Sequence, residues 1–105
     1  MSRRYVVAPS ALADLDEIWV YIAQKASIEI AERVVETITH IFPLLASNPG
    51  MGRIRPNLGE GIRSIPALNY RIYYRQDSRG RIRILHVKHA ARDERKLFER
   101  IRPGA

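Results

Sequence analysis

The spacing of apolar residues changes along the chain, and the change predicts helices in the first half and strands in the second. Arg3–Ala8 is rich in strand-forming residues and predicts a first strand that ends at Pro9, with Ser10 as a helix N-cap. The segment ALADLDEIWVYIA, residues 11–23, then has helical periodicity. Its apolar positions are Leu12, Leu15, Ile18, Trp19 and Ile22.

A second helix is predicted after Ser27, which is suited to cap it. Its apolar stripe consists of Ile30, Val34, Ile38, Ile41 and Leu45. Pro43 lies inside this pattern and lacks a backbone donor, so we expect a kink or an early end there. The two helices form an αα-hairpin that needs another layer to cover its apolar stripes.

Beyond a turn-rich connector, residues 46–61, the period becomes two and predicts three strands: 62–68, 69–76 and 81–89. The segment DSRG, residues 77–80, is a hairpin turn between the last two. Alternation predicts that Tyr70, Ile72 and Tyr74 face the core. The opposite, exposed face would carry Arg71, Tyr73, Arg75, Arg81 and Arg83.

The last of these strands has apolar residues on both faces near Leu85, which indicates either a central strand or a β-bulge that changes the alternation. Without a bulge, His86 lies on the core side and His89 on the other face. The element order is β-α-α-β-β-β, with a short C-terminal helix in ARDERKLFERI. We therefore predict one α+β domain spanning residues 1–105, in which an N-terminal strand and a two-helix hairpin precede a three-stranded antiparallel sheet.

Charge is distributed unevenly between the two halves of the chain. Residues 1–52 hold four Lys and Arg against six Asp and Glu, a net charge of −2, whereas residues 53–105 hold fourteen against five, a net charge of +9. Such asymmetry favours an acidic partner, either nucleic acid or an acidic protein surface.

Composition also excludes several classes of site. The chain has no cysteine, no metal-ligand cluster and no glycine-rich phosphate loop, so we expect neither a metal nor a cofactor. No apolar run is long enough to span a membrane, and the N-terminus lacks the apolar core of a signal peptide. We expect a cytoplasmic protein.

The segment HVKHAARDERKLFER, residues 86–100, fits either the catalytic end of a small nuclease or the basic end of a binding protein. Metal-free RNA cleavage requires a base, an acid and cations for the phosphate. Arginines supply cations but transfer no protons at neutral pH. His89 is the stronger proton-transfer candidate, since His86 falls on the expected core side. Tyr73, between two arginines, is a candidate for stacking on a ligand.

Five segments of the chain resemble the RelE/ParE toxin superfamily, and within it the ParE branch. They are ALADLDEIWVYI (11–22), NPGMGR (48–53), GIRSIP (61–66), YRIYYR (70–75) and ILHVKHAARD (84–93). The resemblance extends from Tyr5 to Asp93 in the family's order and spacing. It implies an α+β toxin of a type II toxin–antitoxin module, of the kind also called plasmid stabilisation proteins. It further implies an acidic, partly disordered ParD-like antitoxin.

The two branches of the superfamily imply different targets. ParE-type toxins poison DNA gyrase, whereas RelE-type toxins cut mRNA on the ribosome. RelE-like nucleases use cations at positions that match Arg71 and Arg92, and basic residues in the strand before them, where this chain lacks the family's lysines and offers Arg63 instead. Their C-terminal tyrosine falls at or near Phe98, which transfers no proton. The resemblance therefore favours a gyrase inhibitor without catalysis of its own, with direct nucleic-acid binding secondary.

Two sets of site residues follow from these considerations. For a gyrase inhibitor, the expected target-binding residues are Arg63, Arg71, Tyr73, Arg75 and Arg92. For the alternative, a ribosome-dependent endoribonuclease, the expected catalytic residues are Arg71, His89 and Arg92.

Overall fold

The computed structural model describes residues 5–91, so the predicted C-terminal helix, Phe98 and Arg92 lie outside the described residues. Within residues 5–91 the helices are α1 (Pro9–Lys25), α2 (Ile28–Thr39) and α3 (Ile41–Ser47), with a 3₁₀ turn at Pro49–Met51. The strands are β1 (Tyr5–Val7), β2 (Arg53–Ile54), β3 (Arg63–Ala67), β4 (Tyr70–Gln76) and β5 (Ile82–His89).

The helix starts follow from local chemistry. Helix α1 begins at Pro9, whose fixed φ and missing N–H suit the first helical position, and extended Ala8 precedes it. The prediction that Ser10 caps this helix is therefore wrong, because Ser10 already lies within the first turn. Ser27 does cap α2, since its side chain accepts a hydrogen bond from the backbone N–H of Ile30 at 3.1 Å.

The predicted interruption of the second helix is found three residues before Pro43. Helix α2 ends at Thr39, His40 separates the two helices, and α3 begins at Ile41. Pro43 thereby occupies the first turn of α3, where a backbone N–H has no partner within the helix. Pro43 would interrupt one long helix, but it is tolerated in the first turn of α3.

The sheet has five strands and is mixed, with the order β1-β5-β4-β3-β2. The α+β class is confirmed, but the predicted three-stranded antiparallel sheet is too small. Strand β1 joins it in parallel with β5, pairing Tyr5 with Ile82, and the two-residue β2 extends the other edge. A parallel pair needs a long crossover connection, which the helices between β1 and the later strands provide.

A bulge in β5 resolves the ambiguity around Leu85. Tyr73 pairs with His86, but its neighbour Tyr74 pairs with Ile84, so Leu85 is the extra residue. Strand β5 is also central, since it lies between β1 and β4. The bulge reverses the alternation beyond it, and the predicted sides of His86 and His89 are both wrong. His86 lies opposite Tyr73, and His89 lies opposite the core residue Tyr70.

The sheet is covered on both faces. The main core lies between the helices and the sheet and includes Ile38, Phe42, Leu45, Ile72 and Ile84. On the other face, the connector before β3 packs its own small cluster of Leu58 and Ile62 against Tyr73, with Leu85 at its margin. This cover overturns the prediction that Tyr73 lies on an exposed face.

A strained residue forms the β3–β4 turn. Ala67 pairs with Tyr70, so Leu68 and Asn69 make a two-residue hairpin loop. Leu68 has φ of 58°, a left-handed conformation that suits glycine at the first position of such a loop, and it is 60% exposed.

Replacing this leucine should stabilise the protein. Leu68→Gly should raise the free energy of unfolding by about 0.5–1 kcal/mol. Glycine adopts this φ without a clash between Cβ and the backbone, and the exposed leucine side chain contributes little buried apolar surface. Asn69→Gly is the matched control. It should lower the free energy of unfolding by a few tenths of a kcal/mol, because Asn69 does not have a positive φ and gains nothing from glycine. Urea unfolding measures both variants, and a less stable Leu68→Gly would contradict the assignment of strain.

No helix within residues 5–91 combines the length and the apolar character needed to cross a membrane.

Candidate functional site

The edge of β5 beyond β1 is completed by side chains of α1 rather than by a strand. Strand β1 ends at Val7, and the Ala8 N–H donates to the carbonyl of Ile84 at 2.9 Å. At the next residue of β5, the carbonyl of Leu85 accepts from the Ser10 hydroxyl at 2.7 Å. Asp14, one helical turn after Ser10, then accepts from the Val87 N–H at 3.0 Å. Helix α1 is thereby fixed in register with β5.

Asp14 is also the centre of a buried ionic cluster. Its carboxylate lies 2.9 Å from Nδ1 of His86 and 2.8 Å from Nζ of Lys88, and only 6% of the residue is exposed. Burial by itself raises the pKa of a carboxyl group. Here the hydrogen bonds from His86, Lys88 and Val87 outweigh burial, and the pKa of Asp14 lies below its ordinary value. The cluster is therefore built around an ionised carboxylate.

This cluster was not predicted from the sequence. A signal was present in the spacing. Asp14 lies three residues after Ala11 and four before Ile18, so it falls within the apolar stripe of α1. A carboxylate in an apolar stripe requires a partner inside the protein.

A cavity of about 220 Å³ lies beside the cluster, between α1 and the ends of β4 and β5. Its walls combine acidic, basic and aromatic side chains. They are Asp14, Glu17, Ile18, Tyr21, Tyr70, Val87, Lys88 and His89. The His89 ring packs edge-to-face on Tyr70 with ring centroids 5.6 Å apart. His89 thus lies on the helix side of the sheet, at the wall of this cavity.

The two described residues of the nuclease alternative do not converge. Arg71 pairs with Lys88, and Tyr70 pairs with His89. Adjacent residues of a strand point to opposite faces of the sheet. Arg71 therefore lies on the face opposite His89, although the two are one register position apart. Arg92, the third residue of that set, is outside the described part of the chain.

The expected target-binding residues have different environments. Arg63 is half-buried, and its guanidinium donates to the carbonyl of Gly52 at 2.8 Å, which ties the connector to β3. Tyr73 is fully buried, and the guanidinium of Arg55 lies 5.8 Å from its ring centroid. In this position the Tyr73 ring offers no surface for a ligand to stack on. Arg71 is half-buried and Arg75 is exposed.

Arg71 and Arg75 share the sheet face opposite the helices, and each lies across from another cation. Arg71 faces Lys88, and Arg75 faces Arg83. Like charges directly opposite each other destabilise a sheet, and the charge of Lys88 is compensated by Asp14 at 2.8 Å. Within residues 5–91, no three His, Asp or Glu side chains come together as ligands for a metal.

Comparison with known proteins identifies relatives over most of the chain. Residues 5–94 match the family model described as ParE toxin of type II toxin-antitoxin system, parDE. A protein named Toxin ParE1 from Mycobacterium tuberculosis is 31% identical over 93 residues, which cover 89% of this chain and 95% of that protein. Another Toxin ParE1, from Caulobacter vibrioides, is 34% identical over 89 residues, covering 84% and 93%.

Two solved structures have the same fold at 22% sequence identity. A chain of the chromosomal ParDE toxin–antitoxin system of P. aeruginosa superposes with a TM-score of 0.73, over 84% of this chain and 96% of that one. A chain of the RelBE2 toxin–antitoxin complex of Mycobacterium tuberculosis gives a TM-score of 0.63, over 85% and 99%.

Proposed function

Because the chain belongs to the ParE family of toxins from type II toxin–antitoxin systems, we propose that it binds and inhibits DNA gyrase and that a ParD-like antitoxin neutralises it. The proposal assigns no reaction to the chain itself. It assigns the docking surface to the sheet face that carries Arg71 and Arg75, with Arg92 as a further contact.

The observation that carries the non-catalytic part of this proposal is the separation of Arg71 from His89. A nuclease needs its phosphate-binding cations and its proton-transfer group on one phosphodiester. Pairing of β4 with β5 places Arg71 and His89 on opposite faces of the sheet. We therefore assign Arg71 and Arg75 to binding rather than to a reaction with His89.

An acidic antitoxin fits the charge and the surface of the chain. The two similar solved structures come from a toxin–antitoxin system and a toxin–antitoxin complex. The +9 charge of residues 53–105 would speed association with an acidic partner. Apolar side chains that are 43–54% exposed on α1 and α2 would gain burial when a disordered segment folds against them. They are Leu12, Val20, Tyr21, Ile28 and Ile30.

A gyrase assay tests the proposal directly. Purified chain, freed of antitoxin, is expected to block DNA supercoiling by gyrase and to accumulate cleaved DNA, and the antitoxin should reverse both effects. The double variant Arg71→Gln/Arg75→Gln should lose at least tenfold in potency, if each cation contributes about 1 kcal/mol to docking. Lys25→Gln/Arg33→Gln removes the same charge from the helices and should remain as potent as the parent.

Folded chain in large excess that leaves gyrase unaffected would eliminate the proposed target. Equal loss in the two double variants would instead show that the effect follows net charge and not the sheet face.

The second candidate, a ribosome-dependent endoribonuclease, draws on the position of His89 at the wall of the cavity. In that case His89→Gln should reduce cleavage of ribosome-bound mRNA by roughly 10²-fold or more, since it removes the proton-transfer group. Under the gyrase proposal the same variant retains its potency on gyrase. Cleavage by the parent chain that survives His89→Gln would exclude His89 as the catalytic residue.

A further inference from the structure

Two exposed arginines face each other across the β4–β5 hairpin. Arg75 on β4 pairs directly with Arg83 on β5. Like charges in this arrangement destabilise the sheet. Neither guanidinium forms a hydrogen bond or an ion pair with another residue of the described range 5–91. Their repulsion is therefore a cost to folding that a bound anion would remove.

The pair lies in a cleft of about 400 Å³ between the connector and the hairpin turn. Glu60 and Gly61 form one wall, and the turn residues Gln76–Ser78 form the other. Asp77 does not neutralise the pair, because its own turn holds the carboxylate. Its Oδ1 accepts from the backbone N–H groups of Arg79 and Arg81, and its Oδ2 accepts from Nε of Arg81, each at 2.9 Å. Glu60 remains as one exposed carboxylate at the rim.

We infer that this cleft binds the phosphodiester backbone of nucleic acid. A guanidinium presents parallel donors that match phosphate oxygens, and two facing guanidiniums can hold one phosphate or two consecutive ones. The hairpin around the cleft carries further cations, since residues 75–83 hold Arg75, Arg79, Arg81 and Arg83 against one carboxylate, Asp77.

This run of cations favours a polyanion over a single acidic side chain. A nucleic-acid strand carries one phosphate per about 3.4 Å of helix axis, so several phosphates can lie within reach of one hairpin. Arg75 also belongs to the surface that we propose for docking on gyrase, so the cleft is tested without gyrase. The binding test below contains no gyrase, so the two proposals can fail separately.

The experiment measures binding of the full chain to short labelled duplexes of DNA and of RNA by fluorescence anisotropy, between about 50 and 200 mM salt. The test variant is Arg75→Gln/Arg83→Gln. The control is Lys25→Gln/Arg33→Gln, which removes two charges from α1 and α2, away from the cleft. For the parent we expect affinity that falls steeply with salt. The test variant should bind roughly tenfold or more weakly at low salt, with the slope reduced by about 2.

Thermal unfolding provides an independent check on the test variant. Its midpoint should be no lower than that of the parent, because the substitutions relieve repulsion, so weaker binding cannot be attributed to unfolding.

Three results would overturn the inference. Equal loss in the test and control variants would mean that binding follows net charge alone. Displacement of the duplex by polyglutamate as readily as by unlabelled duplex would make the cleft a carboxylate site. Binding of inorganic phosphate without binding of either duplex would make it a free-phosphate site. Binding of DNA, of RNA or of both through the two arginines supports it, and the comparison identifies the preferred backbone.

Discussion

Replacing Asp14 by asparagine should lower the free energy of unfolding by about 3 kcal/mol at pH 7. The variant keeps the size of the side chain but leaves the Lys88 ammonium, whose side chain is only 15% exposed, without its anion, and breaking one side of a buried pair costs several kcal/mol. Relative to the 5–15 kcal/mol that stabilises a domain, this loss is large. Urea unfolding measures it, and Asp16→Asn, at an exposed position two residues on, is the control that should change stability by less than about 0.5 kcal/mol.

The same residue sets an acid limit on stability. The folded-state pKa of Asp14 is lower than its ordinary value of 3.8. Its contribution is therefore fully present above that ordinary value and is lost as the pH falls through the lower, folded-state pKa. Plots of the free energy of unfolding against pH for the parent and for Asp14→Asn should run parallel near neutral pH and approach each other below about pH 4. Curves that stay parallel down to pH 2 would show that the ionised carboxylate contributes nothing.

Gly52→Ala should be almost as damaging, at about 2–3 kcal/mol, through steric overlap in a packed site. A Cβ at this position would lie 2.5 Å from the hydroxyl oxygen of Tyr74 and 2.9 Å from the backbone carbonyl oxygen of Ser64. Tyr74 is fully buried and cannot turn away. Its hydroxyl also accepts from the Gly52 N–H at 2.7 Å and donates to the Pro49 carbonyl at 2.9 Å, so the methyl group would disrupt both bonds.

Two comparisons isolate this effect in urea unfolding. Gly50→Ala, in the same connector, adds a methyl group with no atom within 4 Å and should change stability little. Tyr74→Phe removes the atom nearest to the new Cβ, so Gly52→Ala should cost less in that background than in the parent. Equal costs for the two glycine substitutions would mean that space at Gly52 is not limiting.

Elements specified by neighbouring residues were predicted well. The two helices of the hairpin and the β4–β5 turn follow from apolar spacing, a serine cap and a glycine at positive φ. What was missed depends on residues far apart in the chain. The parallel partner of β1 lies more than seventy residues away, and no local pattern specifies it. Strand β2 has only two residues, and it forms a strand because it pairs with β3.

The candidate site was predicted less well for the same reason. One bulged residue, Leu85, exchanged the faces of His86 and His89, and the sequence around it allowed either register. The cover over Tyr73 comes from Leu58 and Ile62 in a connector that had no predicted contacts. The shared face of Arg71 and Arg75 was predicted correctly, because both lie on the regular strand β4.

The central position of β5 has a consequence for synthesis on the ribosome. Both β1, made first, and β4 need β5 as their hydrogen-bonding partner, and Asp14 takes all its donors from it. A nascent chain therefore holds β1 and the helical layer without their sheet until almost the whole sequence has been translated. Contacts of such long range form late and slowly. Translation that aborts before Ile82 yields a fragment without β5, in which β1 has no strand to pair with and Asp14 has none of these donors, so incomplete products carry no folded toxin.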